Sequence, residues 1–134
     1  LAPGRRPFHT LTPAMAELAD GKILSYGTMG GEGQPQTQAM VYTRHVNFGQ
    51  SIQQAITAPR FLLGRTWGDT GTNLKLESRF DPALVADLAA AGHDTEVIAP
   101  FSDLMGHAGG VSIRADGVME GGSDPRADGK AAGV

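Results

Sequence analysis

The glycine-rich segment from Gly27 to Gln36 is the stretch of this sequence whose residue types best suit chemistry. An apolar run, Ile23 to Tyr26, leads into it, and a helix-like run begins near Pro35. Consecutive glycine N–H groups close to a helix start form a concave cluster of donors that suits an oxyanion or a phosphate. The segment is not a G-x-G-x-x-G motif and lacks the Lys-Ser/Thr of a phosphate-binding loop, so a plain strand-to-helix turn explains it equally well.

The remaining residues with catalytic or ligand chemistry form no recognisable motif. The four histidines are far apart and show no His-x-x-x-His spacing, which predicts no metal site. Ser25 and Ser123 lack a positioned histidine and acid. The segment Asp69-Thr70-Gly71-Thr72 contains the Asp-Thr-Gly of aspartic proteases only once, so a chain of 134 residues would need a dimer to use it. These patterns predict no cofactor.

The composition is that of an ordinary folded chain, expected to form a single domain over residues 1–134. The net charge of −3 gives no general attraction to nucleic acid or to an anionic membrane. The absence of cysteine excludes disulfides, thiolate catalysis and Cys-based zinc sites. No apolar run approaches the roughly 20 residues of a membrane span. Residues 1–7 lack an initiator Met and the apolar core of a signal peptide, so an interior or C-terminal piece of a longer protein is expected, and the compartment stays open.

Two Asp-Gly pairs predict β-hairpins. Asp20-Gly21 joins Ala14–Leu18 to Lys22–Thr28, and Ala115-Asp116-Gly117 joins Gly109–Arg114 to Val118–Gly122. Three further strands are predicted at Arg60–Gly64, Asn73–Glu77 and Thr95–Ala99. Hairpins mixed with helices favour α+β layers over a doubly wound fold.

Three helices are predicted from their end signals. They run from Pro35 to about Phe48, from Ile52 to Ala58 after Ser51 as N-cap, and from Asp81-Pro82 to Gly92. An apolar stripe predicts the inner face of the third helix, formed by Leu84, Val85, Leu88 and Ala91. Trp67 is interpreted as a partly buried anchor, and the tail as a loop in which Asp124, Arg126 and Asp128 form a salt-bridged turn.

Five sequence blocks occur in an order that resembles one known family. They are Pro3–Pro13 (PGRRPFHTLTP), Gly27–Gly31 (GTMGG), Gln54–Phe61 (QAITAPRF), Leu88–His93 (LAAAGH) and Asp124–Val134 (DPRADGKAAGV). Together they span essentially the whole chain and resemble the C-terminal part of the small subunit of γ-glutamyltranspeptidases. These enzymes are N-terminal-nucleophile (Ntn) hydrolases, and the family includes cephalosporin-acylase-like members.

The resemblance implies an α+β fold that is part of an Ntn-hydrolase αββα sandwich, with a mixed or antiparallel sheet and helices. A large and a small subunit complete that sandwich after self-cleavage of one precursor. The implied reaction transfers a γ-glutamyl or related acyl group from a small-molecule amide to water or to an amino acceptor. The nucleophile is a threonine in an upstream Thr-Thr-His-like motif, which this chain lacks and Leu1 cannot replace. The chain alone is therefore expected to be inactive, to need the rest of the precursor, and to self-associate through uncovered apolar faces.

The resemblance also implies which residues form the site. Gly30 and Gly31 correspond to the oxyanion hole, whose N–H groups stabilise the charge of a tetrahedral intermediate. The family's serine pair, which binds the substrate's α-carboxylate, corresponds to His9 and Thr10, and Met29 is expected to line the same pocket. Thr10 keeps a hydroxyl donor, whereas His9 is larger, which favours a broader amide acylase over strict γ-glutamyl recognition.

Two other interpretations remain open. His9 is also consistent with an ordinary histidine in an extended segment. The whole chain is also consistent with a non-catalytic module that binds an anionic or amino-acid-like ligand at the glycine turn.

Overall fold

The structure is a computed structural model that describes residues 2–66 and 70–133. Its strands are β1 (Ala14–Glu17), β2 (Ile23–Thr28), β3 (Phe61–Leu63), β4 (Leu74–Glu77), β5 (Thr95–Ile98), β6 (Ala108–Ile113) and β7 (Met119–Ser123). Its helices are α1 (Gln34–Tyr42), α2 (Ile52–Thr57) and α3 (Pro82–Ala90). The predicted anchor Trp67 and the Asp69 of the Asp-Thr-Gly segment lie outside the described residues.

Two sheets with helices beside them confirm the predicted α+β class. The larger sheet has the order β1-β2-β6-β7 and is antiparallel throughout. The smaller sheet, β3-β4-β5, combines an antiparallel pair with a parallel one. Both predicted Asp-Gly hairpins are present, as β1 with β2 and β6 with β7. In each turn the aspartate accepts a hydrogen bond from the backbone N–H two residues further on, and the glycine adopts a positive φ, +81° at Gly21 and +83° at Gly117.

The helices begin where their capping residues predict. Ser51 and Gln54 form a reciprocal capping box at the start of α2, and the Asp81 carboxylate accepts a backbone N–H in the first turn of α3. Helix α1 continues past its α-helical part as a π-helical segment, Thr43–Asn47, and Gly49 follows with φ +67°. The predicted extent of this first helix is therefore confirmed, although its last turn is wider than an α-helix.

The core lies between the larger sheet and the pair α1 and α2. Its buried apolar side chains come from both layers and are Leu24, Val41, Ile52, Ala55, Ile56 and Ala108. Gly122 lets α2 approach the sheet, since a Cβ at this position would lie 2.8 Å from Ile56 Cδ1. Full burial of one large aliphatic side chain contributes roughly 1.5–3 kcal/mol, so this interface is a main source of stability.

The opposite face of the larger sheet is exposed although it is partly apolar. Met15, Val111 and Met119 are 75%, 42% and 71% exposed. Because side chains alternate across a strand, these residues point away from the face that α1 and α2 cover. Among the described residues, Ala131 of the tail approaches this face, beside Gly121.

The apolar stripe of α3 does not form the predicted inner face, and that prediction is wrong. Leu84 is 45% exposed, and no residue of α3 is buried in the described structure. Helix α3 packs on β5 at the margin of the smaller sheet, and Val85 and Leu88 are only half-buried there. An apolar stripe shows that a helix face can be buried, but it does not show which part of a protein buries it.

A cluster of buried charges joins the tail to the smaller sheet. Arg60 Nη2 lies 2.7 Å from Asp124 Oδ2, and Arg126 Nη1 lies 3.1 Å from Asp124 Oδ1. Arg126 Nη2 also lies 2.5 Å from Glu77 Oε2, and all four side chains are at most 1% exposed. The predicted salt-bridged turn is therefore present at Asp124 and Arg126, whereas Asp128 is exposed and lies outside the cluster.

The pKa values of the central pair follow from burial and charge. Burial lowers the pKa of Arg60 to about 10, although the Asp124 carboxylate opposes that shift. Burial alone would raise the pKa of Asp124, but the charge of Arg60 and the backbone N–H groups of Ala108 and Arg126 outweigh it and hold that pKa below its usual range. Both groups are therefore ionised at neutral pH, where Asp124 stabilises the folded state.

We expect Asp124→Asn to cost about 3–5 kcal/mol in the free energy of unfolding, because it leaves Arg60 as a buried charge without its anion. Asp116→Asn is the matched control, since it removes a carboxylate from an exposed pair with Arg114 and should change stability by less than about 0.5 kcal/mol. Urea unfolding of the full-length protein that carries this chain measures both values.

The loss of stability caused by Asp124→Asn depends on pH. The folded-state pKa of Asp124 is lowered, so its contribution is complete at neutral pH and is lost as the pH falls through that lowered value. The stability difference between wild type and Asp124→Asn should therefore narrow in acid. A difference that stays constant from neutral pH down to about pH 2 would contradict this account of Asp124.

Candidate functional site

The glycine turn connects the end of β2 to the start of α1. Gly30 has φ +135° and ψ +29°, and Gly31 has φ +51°, so both positions are strained for residues with a side chain. A 3₁₀ turn, Gly31–Gly33, then leads into α1, and Pro35 lies in the first turn of that helix, where its missing N–H costs nothing. The sequence therefore folds here as a turn that brings backbone, with no side chains, to the start of a helix.

The backbone N–H groups of Gly30 and Gly31 differ from those of their neighbours in their hydrogen bonding. Within residues 2–66 and 70–133, neither group donates a hydrogen bond to the protein. The neighbouring N–H groups do, since that of Met29 donates to His107 O at 3.2 Å and that of Gly33 donates to Gly30 O at 2.8 Å. Two adjacent unpaired donors at the positive end of a helix can stabilise a negatively charged oxygen.

One open cleft contains all five residues predicted to form the site. Its walls include His9, Thr10, Met29, Gly30 and Gly31, and its volume is about 860 Å³. His9 and Thr10 are exposed and Met29 is 38% exposed, so their side chains are accessible from solvent. The structure thus brings the extended N-terminal segment and the glycine turn to the same place, although they are some 20 residues apart in the sequence.

Two glutamines of α1 hold that extended segment in place. Gln34, only 8% exposed, donates from Nε2 to the carbonyl of Thr10 at 3.3 Å and accepts the Thr12 hydroxyl at 3.0 Å. Gln38 Nε2 donates to Thr12 O at 2.6 Å and to Thr12 Oγ1 at 3.1 Å. Sequence reasoning missed both glutamines, and their i, i+4 spacing on one helix face is the one signal that pointed to them.

A second turn supports the glycine turn from behind. Gly106, with φ +76°, lies so close to the carbonyl of Met29 that a Cβ there would overlap the oxygen. Arg60 Nη1 donates to the carbonyls of Met105 and Gly106, at 3.1 and 2.9 Å. The Thr37 hydroxyl donates to the carbonyl of Met105 at 3.1 Å. The buried charge cluster therefore reaches the back of the cleft through Arg60.

The histidines are not brought together at a metal site. His45 is buried in the core, donating from Nδ1 to Gln50 O at 2.8 Å and accepting the Ser112 hydroxyl at Nε2 at 3.3 Å. His107 and His9 both line a smaller cavity beside the cleft. Within the described parts of the chain, no cluster of His, Asp and Glu could hold a metal ion. None of the helices there has the length and apolarity that crossing a membrane requires.

Comparison with known proteins gives consistent matches over the whole chain. The γ-glutamyltranspeptidase family model matches residues 1–134. The oxamate amidohydrolase proenzyme of Klebsiella pneumoniae is 56% identical over 133 residues, 99% of this chain and 25% of that protein. The glutathione hydrolase-like YwrD proenzyme of Bacillus subtilis is 44% identical over 134 residues, 100% of this chain and 26% of that protein.

Solved structures show the same fold. A γ-glutamyltranspeptidase from Pseudomonas nitroreducens, solved in complex with L-DON, superposes with a TM-score of 0.75 over 100% of this chain and 67% of that chain, at 20% identity. The chain spans about a quarter of the length of the curated relatives it matches. The elements described above are therefore part of a larger architecture in those relatives, whose names describe them as proenzymes.

We expect Gln34→Met to loosen the segment that carries His9 and Thr10, because the apolar side chain fills the same space without either hydrogen bond to the segment. Cleavage within residues 8–12 by limited proteolysis of the full-length protein, followed by mass spectrometry, should become about tenfold faster or more.

Gln53→Met is the matched control for this measurement. Gln53 also makes two amide hydrogen bonds to a distant backbone, that of Ser123, but at the β7 edge of the larger sheet. Its loss should leave cleavage within residues 8–12 unchanged. Equal cleavage rates of that segment in wild type and Gln34→Met would show that Gln34 does not hold it.

Proposed function

Because this chain belongs to the γ-glutamyltranspeptidase family, we propose that it forms the oxyanion-binding and acyl-binding part of an amide-cleaving Ntn hydrolase. The observation that carries this proposal is the pair of unpaired N–H groups at Gly30 and Gly31, which share one cleft with His9 and Thr10. Residues 1–134 act in this proposal as one unit of a longer precursor, which agrees with the quarter-length coverage of the relatives.

The proposed chemistry uses a threonine hydroxyl supplied from outside this chain. The threonine oxygen forms a bond to the carbonyl carbon of the amide, and the π electrons of the carbonyl group move to the carbonyl oxygen. That oxyanion receives hydrogen bonds from the N–H groups of Gly30 and Gly31, a stabilisation of about 2.7–4 kcal/mol per donor in comparable sites. The C–N bond then breaks, the hydroxyl proton leaves with the nitrogen, and water or an amine releases the acyl group and restores the hydroxyl.

The substrate class we propose is the amide of a small carboxylic acid. The Thr10 hydroxyl and the His9 ring can both donate hydrogen bonds to a carboxylate, and both line the cleft. A relative that is 56% identical carries the name oxamate amidohydrolase, and oxamate is such an amide. Met29 contributes an apolar wall to the same cleft, whose lining also includes the polar residues Glu32, Gln34 and Gln38.

A γ-glutamyl amide is the second candidate substrate. The cleft volume of about 860 Å³ exceeds what a two-carbon acid fills and lies within the range of pockets that hold larger ligands. The Bacillus subtilis relative, 44% identical, carries the name of a glutathione hydrolase-like protein. Transfer to an amino acceptor, rather than hydrolysis, would also use the open side of the cleft.

We expect Gly31→Val to lower kcat of the full-length, matured protein at least about 100-fold on whichever amide it cleaves. A β-branched residue is strained at φ +51°, so the N–H of residue 31 would lose its orientation towards the oxyanion. Gly49→Val is the matched control, since Gly49 also has positive φ but a Cβ there meets open space. It carries the same backbone strain away from the cleft and should retain turnover. Release of ammonia from oxamate and of p-nitroaniline from a γ-glutamyl anilide are the two assays.

Each result of these assays decides one point. Turnover of oxamate alone favours the small-acid substrate, and turnover of the anilide alone favours the γ-glutamyl one. Undiminished turnover of every cleaved substrate by Gly31→Val would contradict the proposed site. Binding without turnover by the matured protein would favour the non-catalytic module.

The remainder of the precursor is the partner we propose for the exposed face of the larger sheet. That face carries Met15, Val111 and Met119, and apolar surface of this kind marks an interface. An αββα sandwich needs a second sheet on this side, which agrees with the family and with the uncovered strands described above.

We expect the isolated chain to self-associate through the same face, because its apolar side chains Met15, Val111 and Met119 are exposed. Sedimentation should show dimers or larger species, and Val111→Lys with Met119→Lys should shift them towards monomer. Val97→Lys, on an exposed residue of the smaller sheet, is the control and should leave association unchanged. A wild-type chain that sediments as a monomer without binding hydrophobic dyes would contradict this assignment of the face.

A further inference from the structure

Thr66 contacts the glycine turn from a distant part of the chain. It lies in the connection between β3 and β4 and is 1% exposed. Its hydroxyl donates a hydrogen bond of 2.8 Å to the carbonyl oxygen of Gly30. The N–H of Gly33 donates to the same oxygen, also at 2.8 Å. Both lone pairs of this buried carbonyl are therefore used, and a side chain supplies one of the two donors.

A carbonyl held in this way also sets the direction of the next N–H group. The peptide unit between Gly30 and Gly31 is planar and trans, so the N–H of Gly31 points opposite to the C=O of Gly30. Turning that N–H out of the cleft would pull the Gly30 oxygen away from Thr66 and Gly33. The hydrogen bond from Thr66 thus stabilises one orientation of the Gly31 N–H.

The peptide unit between Gly30 and Gly31 depends on contacts from other residues to fix its orientation. Neither glycine has the Cβ that restricts φ and ψ in other residues, so rotation of the peptide between them meets no side-chain barrier. A donor is effective in an oxyanion hole when its orientation is fixed before charge develops on the oxygen, because no reorganisation is then needed during the reaction.

We propose that Thr66 is a positioning residue, whose hydroxyl acts through the Gly30 carbonyl to aim the Gly31 N–H at the oxyanion. This inference rests on the proposed function of Gly31 as an oxyanion donor. The Gly30 N–H is held differently, because the carbonyl of its own peptide unit, Met29 O, accepts the Thr28 hydroxyl at 2.6 Å and lies against Gly106. Thr66 therefore acts on one of the two donors.

Thr66→Val tests this inference, because it keeps the shape of the side chain and removes the donor. In the full-length, matured protein, with rates counted per active site, we expect kcat to fall about tenfold while KM stays within about twofold, since ground-state binding is untouched. Thr66→Ser should restore kcat to within about twofold of wild type. Ser112→Ala removes another hydroxyl, 1% exposed and bonded to His45, and should leave kcat unchanged.

The outcomes separate this inference from the proposed function. An unchanged kcat in Thr66→Val, when Gly31→Val is inactive, would overturn the role of Thr66 and leave the oxyanion site standing. Unchanged turnover in Gly31→Val would overturn both. A raised KM at constant kcat would also contradict positioning, because it reports lost substrate binding.

A second variant covers the case in which Thr66→Val does not mature. Thr66→Cys keeps a group of similar size, but a thiol is a weak donor. A kcat below that of Thr66→Ser would support the hydrogen bond as the cause. Equal kcat values for the Cys and Ser variants would overturn it.

Discussion

One buried guanidinium, that of Arg60, connects most parts of this structure. Its Nη2 lies 2.7 Å from Asp124 Oδ2 and also donates to the carbonyl oxygen of Ile56 at 2.9 Å, and its Nη1 donates to those of Met105 at 3.1 Å and Gly106 at 2.9 Å. Its Nε is buried and has no hydrogen-bond partner among the described residues. The partners of Nη1 and Nη2 belong to the tail, to α2 and to the turn behind the cleft. Because a buried charge is stable only when its partners are in place, this single group fixes the relative positions of three segments that are far apart in the sequence.

The position of this charge in the interior has a physical reason. In other proteins, an apolar side chain of similar size is often as stable as a buried ion pair, because it avoids the desolvation of two charges. Here it would also leave the buried carbonyl of Gly106 without a side-chain donor, at about 1–3 kcal/mol, and that of Met105 with the Thr37 hydroxyl as its side-chain donor. Arg60 therefore allows an irregular turn to be buried directly behind the glycine turn. The glycine turn is irregular too, and for that reason it has two adjacent unpaired N–H groups, which a regular helix interior or a paired strand would not have.

The sequence predicts the local features of the fold well and the long-range contacts of the site poorly. Asp20-Gly21 and Asp81-Pro82 each act within a few residues, so the hairpin and the helix start follow from residue chemistry alone. The apolar stripe of α3 is equally local, and its burial was mispredicted because burial depends on what packs over it. Thr66 lies 36 residues from the carbonyl it binds, and nothing in its sequence neighbours marks it as buried. The residues assigned to the cleft came from the family resemblance, whereas the side chains that hold them came from the structure.

The glycine turn and the exposed sheet face depend on different parts of the protein. Within the described residues, every contact that orients the turn comes from this chain: the hydroxyls of Thr28 and Thr66, the N–H of Gly33 and the backbone of Gly106. These contacts hold both peptide units that carry the two donors. The larger sheet, in contrast, has only one face buried by helices. In our proposal, this chain orients the two donors, whereas the rest of the precursor covers the exposed sheet face and brings the nucleophile to the cleft.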